Sequence, residues 1–252
     1  MDLVGRVALV TGASGGIGRA VAQRLTEAGA AVIAGYYGAQ DGAEKAAGEL
    51  VEAGQCADLV ELDQRSSASI EDCVGKVRAR HGRLDILVNN AAWNTPIPFQ
   101  DLDALTPDLW DRVLETNLRG PFLLARGFAS MLKAEGGGHI VNIASTGGFV
   151  PAASSIAYAS SKAGLLHLTR CLAVALAPEV AVNSVSPGVV ENTGMSNRVM
   201  DAEQQRTASE ASLLGRTAQL ADIAEQVLAL VRSTSVTGQT IAIDGGTSLA
   251  SH

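Results

Sequence analysis

Tyr158 and Lys162 stand four residues apart in a stretch with helical spacing. Side chains four residues apart lie one turn from each other on the same face of a helix, so we expect the phenol and the ammonium group to be neighbours. A free phenol has a pKa of roughly 10 and is a poor base at neutral pH. A nearby cation favours phenolate and lowers that pKa, which suits proton transfer to a carbonyl oxygen. The same spacing also occurs in surface Tyr–Lys pairs that have no chemical role.

Ser145 strengthens the chemical interpretation. It follows a predicted strand over His139–Ile143, and the helix that carries Tyr158 begins after a short connection, at about Ile156. Both residues are therefore expected at the carboxyl edge of a sheet, where open α/β folds bind ligands. A serine hydroxyl at that edge can hydrogen-bond a substrate oxygen as negative charge develops on it.

A glycine-rich turn lies near the start of the chain, where Gly12, Gly16 and Gly18 join an apolar strand to a helix. Glycine lets the backbone approach a pyrophosphate closely, and a helix N-terminus offers free N–H groups and the positive end of the helix dipole. The spacing is Gly-x-x-x-Gly-x-Gly rather than the commoner Gly-x-Gly-x-x-Gly. The strand before the turn and the helix after it favour a nucleotide site.

The end of the second predicted strand should indicate which dinucleotide is bound. An acid there hydrogen-bonds the adenosine 2′-hydroxyl of NAD, whereas a nearby arginine accommodates the 2′-phosphate of NADP. This chain has Gly35-Tyr36-Tyr37-Gly38, with neither an acid nor a base. The missing acid removes a repulsion on the 2′-phosphate, so NADP(H) is slightly favoured over NAD(H), although no cation is visible to hold the phosphate.

Short apolar runs alternate with helical stretches along the whole chain. Strands are predicted over Arg6–Val10, Ala31–Ala34, Leu59–Leu62, Leu84–Val88, His139–Ile143, Ala181–Val185 and Thr240–Ile243. Helices are predicted over Ile17–Ala28, Ala39–Ala53, Ser69–Arg80, Pro107–Lys133 with a bend near Gly120-Pro121, Ile156–Ala177 and Leu220–Val231. This alternation predicts an α/β fold, a doubly wound parallel (Rossmann-like) sheet with helices on both faces. We expect one dinucleotide-binding and catalytic domain over residues 1–252, with a loop-rich stretch at 187–216 and a substrate lid at about 189–216.

Composition excludes several classes of partner. The formal net charge of −7 gives no electrostatic reason to expect nucleic acid or an anionic membrane. No apolar run reaches the ~18 residues of a membrane span, and the first residues predict no signal peptide. The three cysteines lack metal-ligand spacing and predict reduced thiols in a soluble cytoplasmic protein. The histidines are scattered, and no metal site is expected.

Taken together, seven short motifs resemble those of the short-chain dehydrogenase/reductase family over essentially the whole chain, in its single-domain type of about 250 residues. The resemblance is to the β-ketoacyl reductase-like or alcohol dehydrogenase-like members. The motifs, in order, are Thr-Gly-x-x-x-Gly-x-Gly (Thr11 to Gly18), Asn89-Asn90-Ala91, Asn117, Ser145, Tyr158 with Lys162, Pro187-Gly188, and Thr-Gly-Gln…Asp-Gly-Gly (Thr237 to Gly246).

The resemblance implies a role for each matching position. Tyr158 would be the general acid and base, Ser145 would hold the substrate oxygen, Lys162 would bind the nicotinamide ribose, and Asn117 would anchor a water in a proton relay. Asp63 would face the adenine, and Val190 and Thr193 would approach the carboxamide. The implied cofactor-binding set is Gly12, Ser14, Gly16, Ile17, Gly18, Tyr36, Asp63, Asn90, Ala91, Tyr158, Lys162, Pro187, Gly188, Val190 and Thr193. A homo-oligomer, tetramer or dimer, is also implied.

The chain departs from the family pattern in three places. Ala92 stands where the family usually has glycine, which adds a methyl group beside the cofactor. The threonine expected five residues after the Pro187 position is replaced by Asn192, and Thr193 follows it. Ser130 and Glu179 stand where carrier-protein reductases have basic side chains, which argues against an acidic carrier protein as substrate.

The expected substrate is therefore a small alcohol or ketone, of unspecified identity, in a largely apolar pocket. The pocket side chains are predicted to include Phe149, Val150 and Met195, and Trp93 is assigned either to the pocket or to plain packing. Two other functions compete with this one. The first is a nucleotide-binding regulator that has the fold without turnover, and the second is an epimerase or dehydratase, which usually needs an added substrate domain.

Overall fold

The computed structural model describes residues 2–38, 42–134, 136–191, 193, 196 and 200–250. Seven strands form one sheet in the order β3-β2-β1-β4-β5-β6-β7, and every neighbouring pair is parallel. The strands are β1 (Val7–Thr11), β2 (Ala31–Tyr36), β3 (Asp58–Glu61), β4 (Ile86–Asn89), β5 (Gly138–Ile143), β6 (Val180–Pro187) and β7 (Thr240–Ile243). The predicted doubly wound parallel sheet is confirmed.

Helices cover both faces of the sheet because successive side chains of each buried strand point to opposite sides. The helices are α1 (Gly16–Glu27), α2 (Ala43–Glu52), α3 (Ser67–His81), α4 (Pro107–Leu114), α5 (Gly120–Leu132), α6 (Ile156–Leu176), α7 (Ala202–Glu210), α8 (Leu220–Arg232) and α9 (Thr247–Ala250). Ala8 and Val10 pack in the core with α1, α2 and α8. Val7 and Leu9 pack with α3, α5 and α6. No helix of the described residues is both long enough and apolar enough to cross a membrane.

The strand order reverses beside β1, since β2 pairs with one edge of β1 and β4 with the other. In open parallel sheets the crevice at such a reversal, beyond the carboxyl ends of the strands, is where ligands bind. The glycine-rich turn follows β1, and Ser145 follows β5. Both therefore lie at the carboxyl edge of the sheet, as predicted.

The predicted bent helix over Pro107–Lys133 consists of three pieces. Residues Glu115–Arg119 form a π-helical stretch between α4 and α5. The sequence analysis placed the irregularity at Gly120-Pro121, slightly too late. Gly120 is needed for packing, because a Cβ there would lie 2.9 Å from Cγ of Gln64.

Residues 187–216 are less irregular than predicted, because α7 forms within them. Asp201 caps α7 by accepting from the Gln204 backbone N–H, and the Gln204 side chain accepts from the Asp201 backbone N–H. Within α7 only Gln205 is buried, so the helix has no apolar stripe, and hydrophobic periodicity could not reveal it. The assignment of this stretch as a lid stays a prediction.

Candidate active site

The glycine-rich turn forms a cradle that larger side chains would fill. Gly12 and Gly16 have φ angles of +65° and +53°, a left-handed conformation that costs little only for glycine. A Cβ on Gly18 would collide with the Gly12 carbonyl oxygen and lie 2.5 Å from Asn90 Nδ2. The start of α1 has no side-chain cap, and Ser14 and Ile17 are half-buried beside it. The turn therefore fits a pyrophosphate approaching backbone N–H groups.

The end of β4 holds this turn in place. The Asn90 side chain donates to the carbonyl oxygens of Thr11 (2.8 Å) and Gly12 (3.1 Å). The Thr11 hydroxyl accepts from the backbone N–H groups of Asn90 and Ala91. Asn89, the first residue of the Asn-Asn-Ala motif, is buried inside the sheet and donates to the Asn142 side chain.

Ser145, Tyr158 and Lys162 meet as predicted, and we call them the Tyr158 cluster. The Ser145 hydroxyl hydrogen-bonds the Tyr158 phenol. Lys162 Nζ lies 5.6 Å from the centre of the Tyr158 ring and donates to the Ile143 carbonyl oxygen over 2.8 Å. Ser155 caps α6 by accepting from the Tyr158 backbone N–H, which fixes the first turn of the helix that carries the tyrosine.

The pKa shifts in the Tyr158 cluster correct the sequence analysis. Burial raises the pKa of Tyr158 to about 12, and the hydrogen bond to Ser145 only partly opposes the shift. Burial lowers the pKa of Lys162 to about 7. The expectation that lysine would bring the tyrosine pKa toward neutrality was wrong in direction, because both groups are buried and both charged forms are disfavoured. The Tyr158 phenol is therefore uncharged at neutral pH.

Asn117 lies in the π-helical stretch and is 1% exposed. Its Oδ1 accepts from the Trp93 backbone N–H, and its Nδ2 donates to the Trp93 carbonyl and to the Ser161 hydroxyl. Ser161 in turn donates to the Tyr158 carbonyl oxygen over 2.7 Å. The amide thus connects the loop after β4 to the helix that carries Tyr158.

Of the predicted residues of the Pro187 segment, Thr193 lies beside the glycine-rich turn. A Cβ on Gly16 would lie 3.7 Å from Thr193 Cβ, which brings Thr193 next to the cradle. Its hydroxyl accepts from the Ser196 backbone N–H. A Cβ on Gly188 would lie 2.7 Å from Cβ of Asp244, so the Pro-Gly and Asp-Gly-Gly motifs pack on each other. Val190 is buried and bridges to Ala218.

Of the side chains assigned to the pocket, Phe149 is 49% exposed and Val150 is half-buried. Trp93 packs in an apolar cluster with Tyr158, and the Arg112 guanidinium stacks 4.2 Å from the centre of its ring. Met195, and Asn192 of the departure from the family threonine, lie outside the described residues. No group of histidines, cysteines and acids in the described part of the chain could hold a metal ion.

The ends of β2 and β3 carry an arrangement that the sequence analysis missed. Tyr36 is buried and hydrogen-bonds Glu44, whereas Tyr37 is 54% exposed. Arg65 stacks 5.5 Å from the centre of the Tyr37 ring and donates to its hydroxyl over 3.2 Å. It also holds the Asp63 carboxylate with Nε (3.0 Å) and Nη2 (2.8 Å). We call Tyr37, Asp63 and Arg65 the Tyr37 cluster.

Gln64 is a second residue that the sequence analysis missed. It is 4% exposed and donates to the carbonyl oxygens of Ala91 (2.9 Å) and Thr116 (2.8 Å). One side chain therefore joins the end of β3, the loop after β4 and the π-helical stretch. These acceptors are backbone atoms of distant segments, so no local motif could have indicated the contact.

Comparison with known proteins assigns the chain to a family. The family model for short chain dehydrogenases matches residues 6–204. A protein of Streptomyces violaceoruber that carries the name of a granaticin polyketide synthase ketoacyl reductase is 39% identical, with 96% of each chain covered. The cis-4-hydroxycyclohexanecarboxylate dehydrogenase of Sinomonas cyclohexanicum is 36% identical, again with 96% of each chain covered.

A solved structure supports the same assignment. The gluconate 5-dehydrogenase of Burkholderia cenocepacia, in complex with NADP and tartrate, superposes with a TM-score of 0.87 at 32% identity, over 98% of this chain and 97% of the other. The fold, the family motifs and these relatives agree along nearly the whole length. The chain belongs to the short-chain dehydrogenase/reductase family of NAD(P)-dependent oxidoreductases.

Proposed function

We propose that this protein transfers a hydride between NAD(P)(H) and a secondary alcohol or ketone, with Tyr158 as the general acid and base. The observation that carries the proposal is the Tyr158 cluster. A buried phenol, a serine hydroxyl bonded to it and a buried lysine meet at the carboxyl edge of the sheet. A regulator without turnover would not need a phenol, a serine hydroxyl and a lysine brought together at this edge.

The residues divide the chemistry among them. When bound, the nicotinamide ring supplies or accepts the hydride. In the direction of ketone reduction, the hydride goes to the carbonyl carbon and Tyr158, whose phenol is protonated at neutral pH, gives its proton to the carbonyl oxygen. Ser145 donates a hydrogen bond to the same oxygen as charge develops. Lys162 has a pKa lowered to about 7, and its protonated form stabilises the phenolate that Tyr158 becomes. Asn117 anchors the water of the proton relay.

The cradle at the glycine-rich turn supports the binding of a dinucleotide, because a pyrophosphate can approach the backbone N–H groups of the turn closely. We assign the pyrophosphate to the turn from Gly12 to Gly18 and the nicotinamide ribose to Tyr158 and Lys162. The carboxamide is assigned to Val190 and Thr193, beside Pro187 and Gly188. NADP(H) is proposed as the preferred cofactor, because β2 ends without an acid that would repel a 2′-phosphate.

For the substrate, we propose a free small alcohol or ketone rather than a substrate on a carrier protein. Some relatives act on carrier-bound substrates by name, such as the 3-oxoacyl-(acyl-carrier-protein) reductase of Aquifex aeolicus, which is 36% identical. Ser130 and Glu179 are exposed here, and Glu179 lies 3.8 Å from Lys133, which offsets that cation. An acidic carrier would find little positive charge at these positions. The cytoplasmic location, the homotetramer or dimer and the lid stay predictions.

The test is a fluorescence titration of the purified protein with all four nicotinamide dinucleotides, followed by turnover measurements. The panel holds secondary alcohols, ketones and an acetoacetyl-carrier protein, each assayed with wild type and with Tyr158→Phe. We expect turnover of free substrates to fall about 10²- to 10⁴-fold in the variant, and cofactor affinity to fall only about two- to tenfold from the lost hydrogen bond to the ribose. Tight cofactor binding without turnover on the whole panel would instead favour the regulator. Faster turnover of the carrier-bound substrate would refute the assignment of a free substrate.

A further inference from the structure

The Tyr37 cluster places a positive charge where the sequence analysis found none. The chain has no lysine or arginine from Gly35 to Glu44, nor in the turn from Gly12 to Gly18. Arg65 comes from the segment after β3, yet its Nη2 lies 3.2 Å from the Tyr37 hydroxyl. A guanidinium therefore reaches the end of β2 from the neighbouring strand.

The pairing of the strands explains how Arg65 reaches this position. β2 and β3 are parallel neighbours, with Tyr36 opposite Glu61, and the Leu62 backbone N–H donates to the Tyr36 carbonyl over 2.7 Å. Their carboxyl ends therefore lie at the same edge of the sheet. That edge, at the end of the second strand, is where dinucleotide-binding folds read the adenosine ribose.

The Arg65 guanidinium is held in place and still has N–H donors that a ligand can bind. Asp63 binds its Nε and Nη2, and Tyr37 accepts a second bond from Nη2. Nη1, which carries two N–H donors, makes no hydrogen bond to the residues that the structure describes. The Arg65 side chain is 29% exposed, so an anion can approach it. A guanidinium that is already fixed loses less conformational freedom when it binds a phosphate.

We propose that Arg65 is the cation that recognises the 2′-phosphate of NADP(H), held in position by Asp63 and Tyr37. The inference rests on the proposed dinucleotide site and adds the residue that selects between the two cofactors. Asp63 occupies the Nε and Nη2 side of the guanidinium, so a phosphate bound at Nη1 lies closer to the guanidinium than to the carboxylate, and its attraction to Arg65 exceeds its repulsion from Asp63. The phosphate contributes a charge of about −1.5 to −2 and three acceptor oxygens to that contact. That carboxylate is already held by two guanidinium bonds, which reduces its repulsion further.

The experiment measures binding alone, by isothermal titration calorimetry with adenosine 2′,5′-bisphosphate and with adenosine 5′-monophosphate. Neither probe has a nicotinamide, so activity does not enter. Wild type is compared with Arg65→Gln, which removes the charge, and with Arg65→Lys, which retains it without the planar fork. Arg80→Gln is the matched control, because Arg80 also pairs with an aspartate, Asp58, which begins β3 at the end opposite to Asp63. NADPH and NADH are titrated in parallel, and thermal melting verifies that each variant folds.

We expect Arg65→Gln to weaken the bisphosphate and NADPH about ten- to a hundredfold, with the monophosphate and NADH changed less than about threefold. Arg65→Lys should fall between wild type and Arg65→Gln, and Arg80→Gln should match wild type. Equal losses for both probes, or no loss for either, would overturn the assignment of Arg65. A wild type that binds both dinucleotides without preferring the 2′-phosphate would overturn it as well. Failure of wild type to bind any dinucleotide would refute the proposed function itself.

Discussion

The Tyr158 cluster and the Tyr37 cluster lie at the same edge of the sheet but are built on opposite physical principles. Tyr158 and Lys162 are 9% and 2% exposed, and burial shifts both pKa values toward the uncharged forms. In the Tyr37 cluster, Asp63 and Arg65 are 21% and 29% exposed and remain a charged pair. Burial alone would raise the pKa of Asp63, but the hydrogen bonds from Arg65 hold it below its ordinary value.

The difference in burial between the two clusters matches two different functions, proton transfer and phosphate recognition. A group that must exchange a proton needs a pKa tuned by its surroundings, and burial provides large shifts. A group that must recognise a phosphate needs a permanent charge that solvent and ligand can reach, at the cost of screening by salt. Variants in the Tyr158 cluster should therefore change turnover, and variants in the Tyr37 cluster should change which cofactor binds.

Ser145→Ala should have the largest effect on the Tyr158 cluster. It removes the hydrogen-bond donor to the substrate oxygen, so kcat should fall about 10²- to 10³-fold. It also removes the bond that lowers the pKa of Tyr158, so the alkaline limb of the pH profile should move to higher pH. Steady-state kinetics across pH measures both. An unchanged NADPH-to-NADH affinity ratio is the internal control, and a changed ratio would mean that the two clusters are not independent.

Gly18→Ala should weaken the binding of both cofactors by the same factor, because the new methyl group meets the Gly12 carbonyl and Asn90 in the turn assigned to the pyrophosphate, which both cofactors share. We expect a loss of about 10- to 100-fold in affinity for NADPH and NADH alike, measured by fluorescence titration. Gly15→Ala is the matched control, since its Cβ would meet no atom within 4 Å. Gly15 also has extended backbone with φ of −170°. Similar affinities in the two variants would show that the cradle does not hold the cofactor.

Lys162→Met should have the smallest effect, on stability. Because the folded protein holds the lysine pKa at about 7 instead of the usual 10.5, unfolding takes up a proton between these values, and wild-type stability rises with pH there. The cost of the buried charge is complete below about pH 7 and disappears toward the ordinary pKa. The variant should therefore gain about 1–3 kcal/mol over wild type near pH 6, shrinking by about pH 9. Urea unfolding of the ligand-free protein measures it, and a pH-independent difference would contradict the shift.

The Tyr158 cluster could be predicted from sequence because its members are close along the chain. Ser145 follows β5, and Tyr158 lies in the first turn of α6, the next long helix. The order of the elements along the chain is therefore enough to predict that the two residues meet. The direction of the tyrosine pKa could not be predicted, because the sequence displays the neighbouring cation but not the burial that disfavours its charge. The sheet and its order of elements were equally predictable, since apolar periodicity marks each buried strand and helix.

Contacts between segments that are distant along the chain could not be predicted from the sequence in the same way. Arg65 and Tyr37 meet only because β2 and β3 pair in one particular register, and Gln64 reaches Ala91 and Thr116 only in the folded chain. Helix α7 was missed because its stability depends on a capping box rather than on an apolar face. These features depend on tertiary geometry or on local polar hydrogen bonds, and hydrophobic periodicity predicts neither.

The π-helical stretch Glu115–Arg119 has a consequence for sequence alignment and engineering. One residue of a regular α-helix corresponds to a rotation of about 100° around the axis. A π-helical turn holds one residue more than an α-helical turn, so the stretch accommodates an extra residue without changing the direction that the flanking helices face. Deleting a single residue here would therefore restore the regular hydrogen-bond ladder and leave α4 facing nearly as before relative to α5. Val113, which is fully buried, would stay in the core, but the widened turn that presents the Asn117 amide to Trp93 would be lost. The length of this segment is therefore constrained more strictly than the identity of its exposed residues.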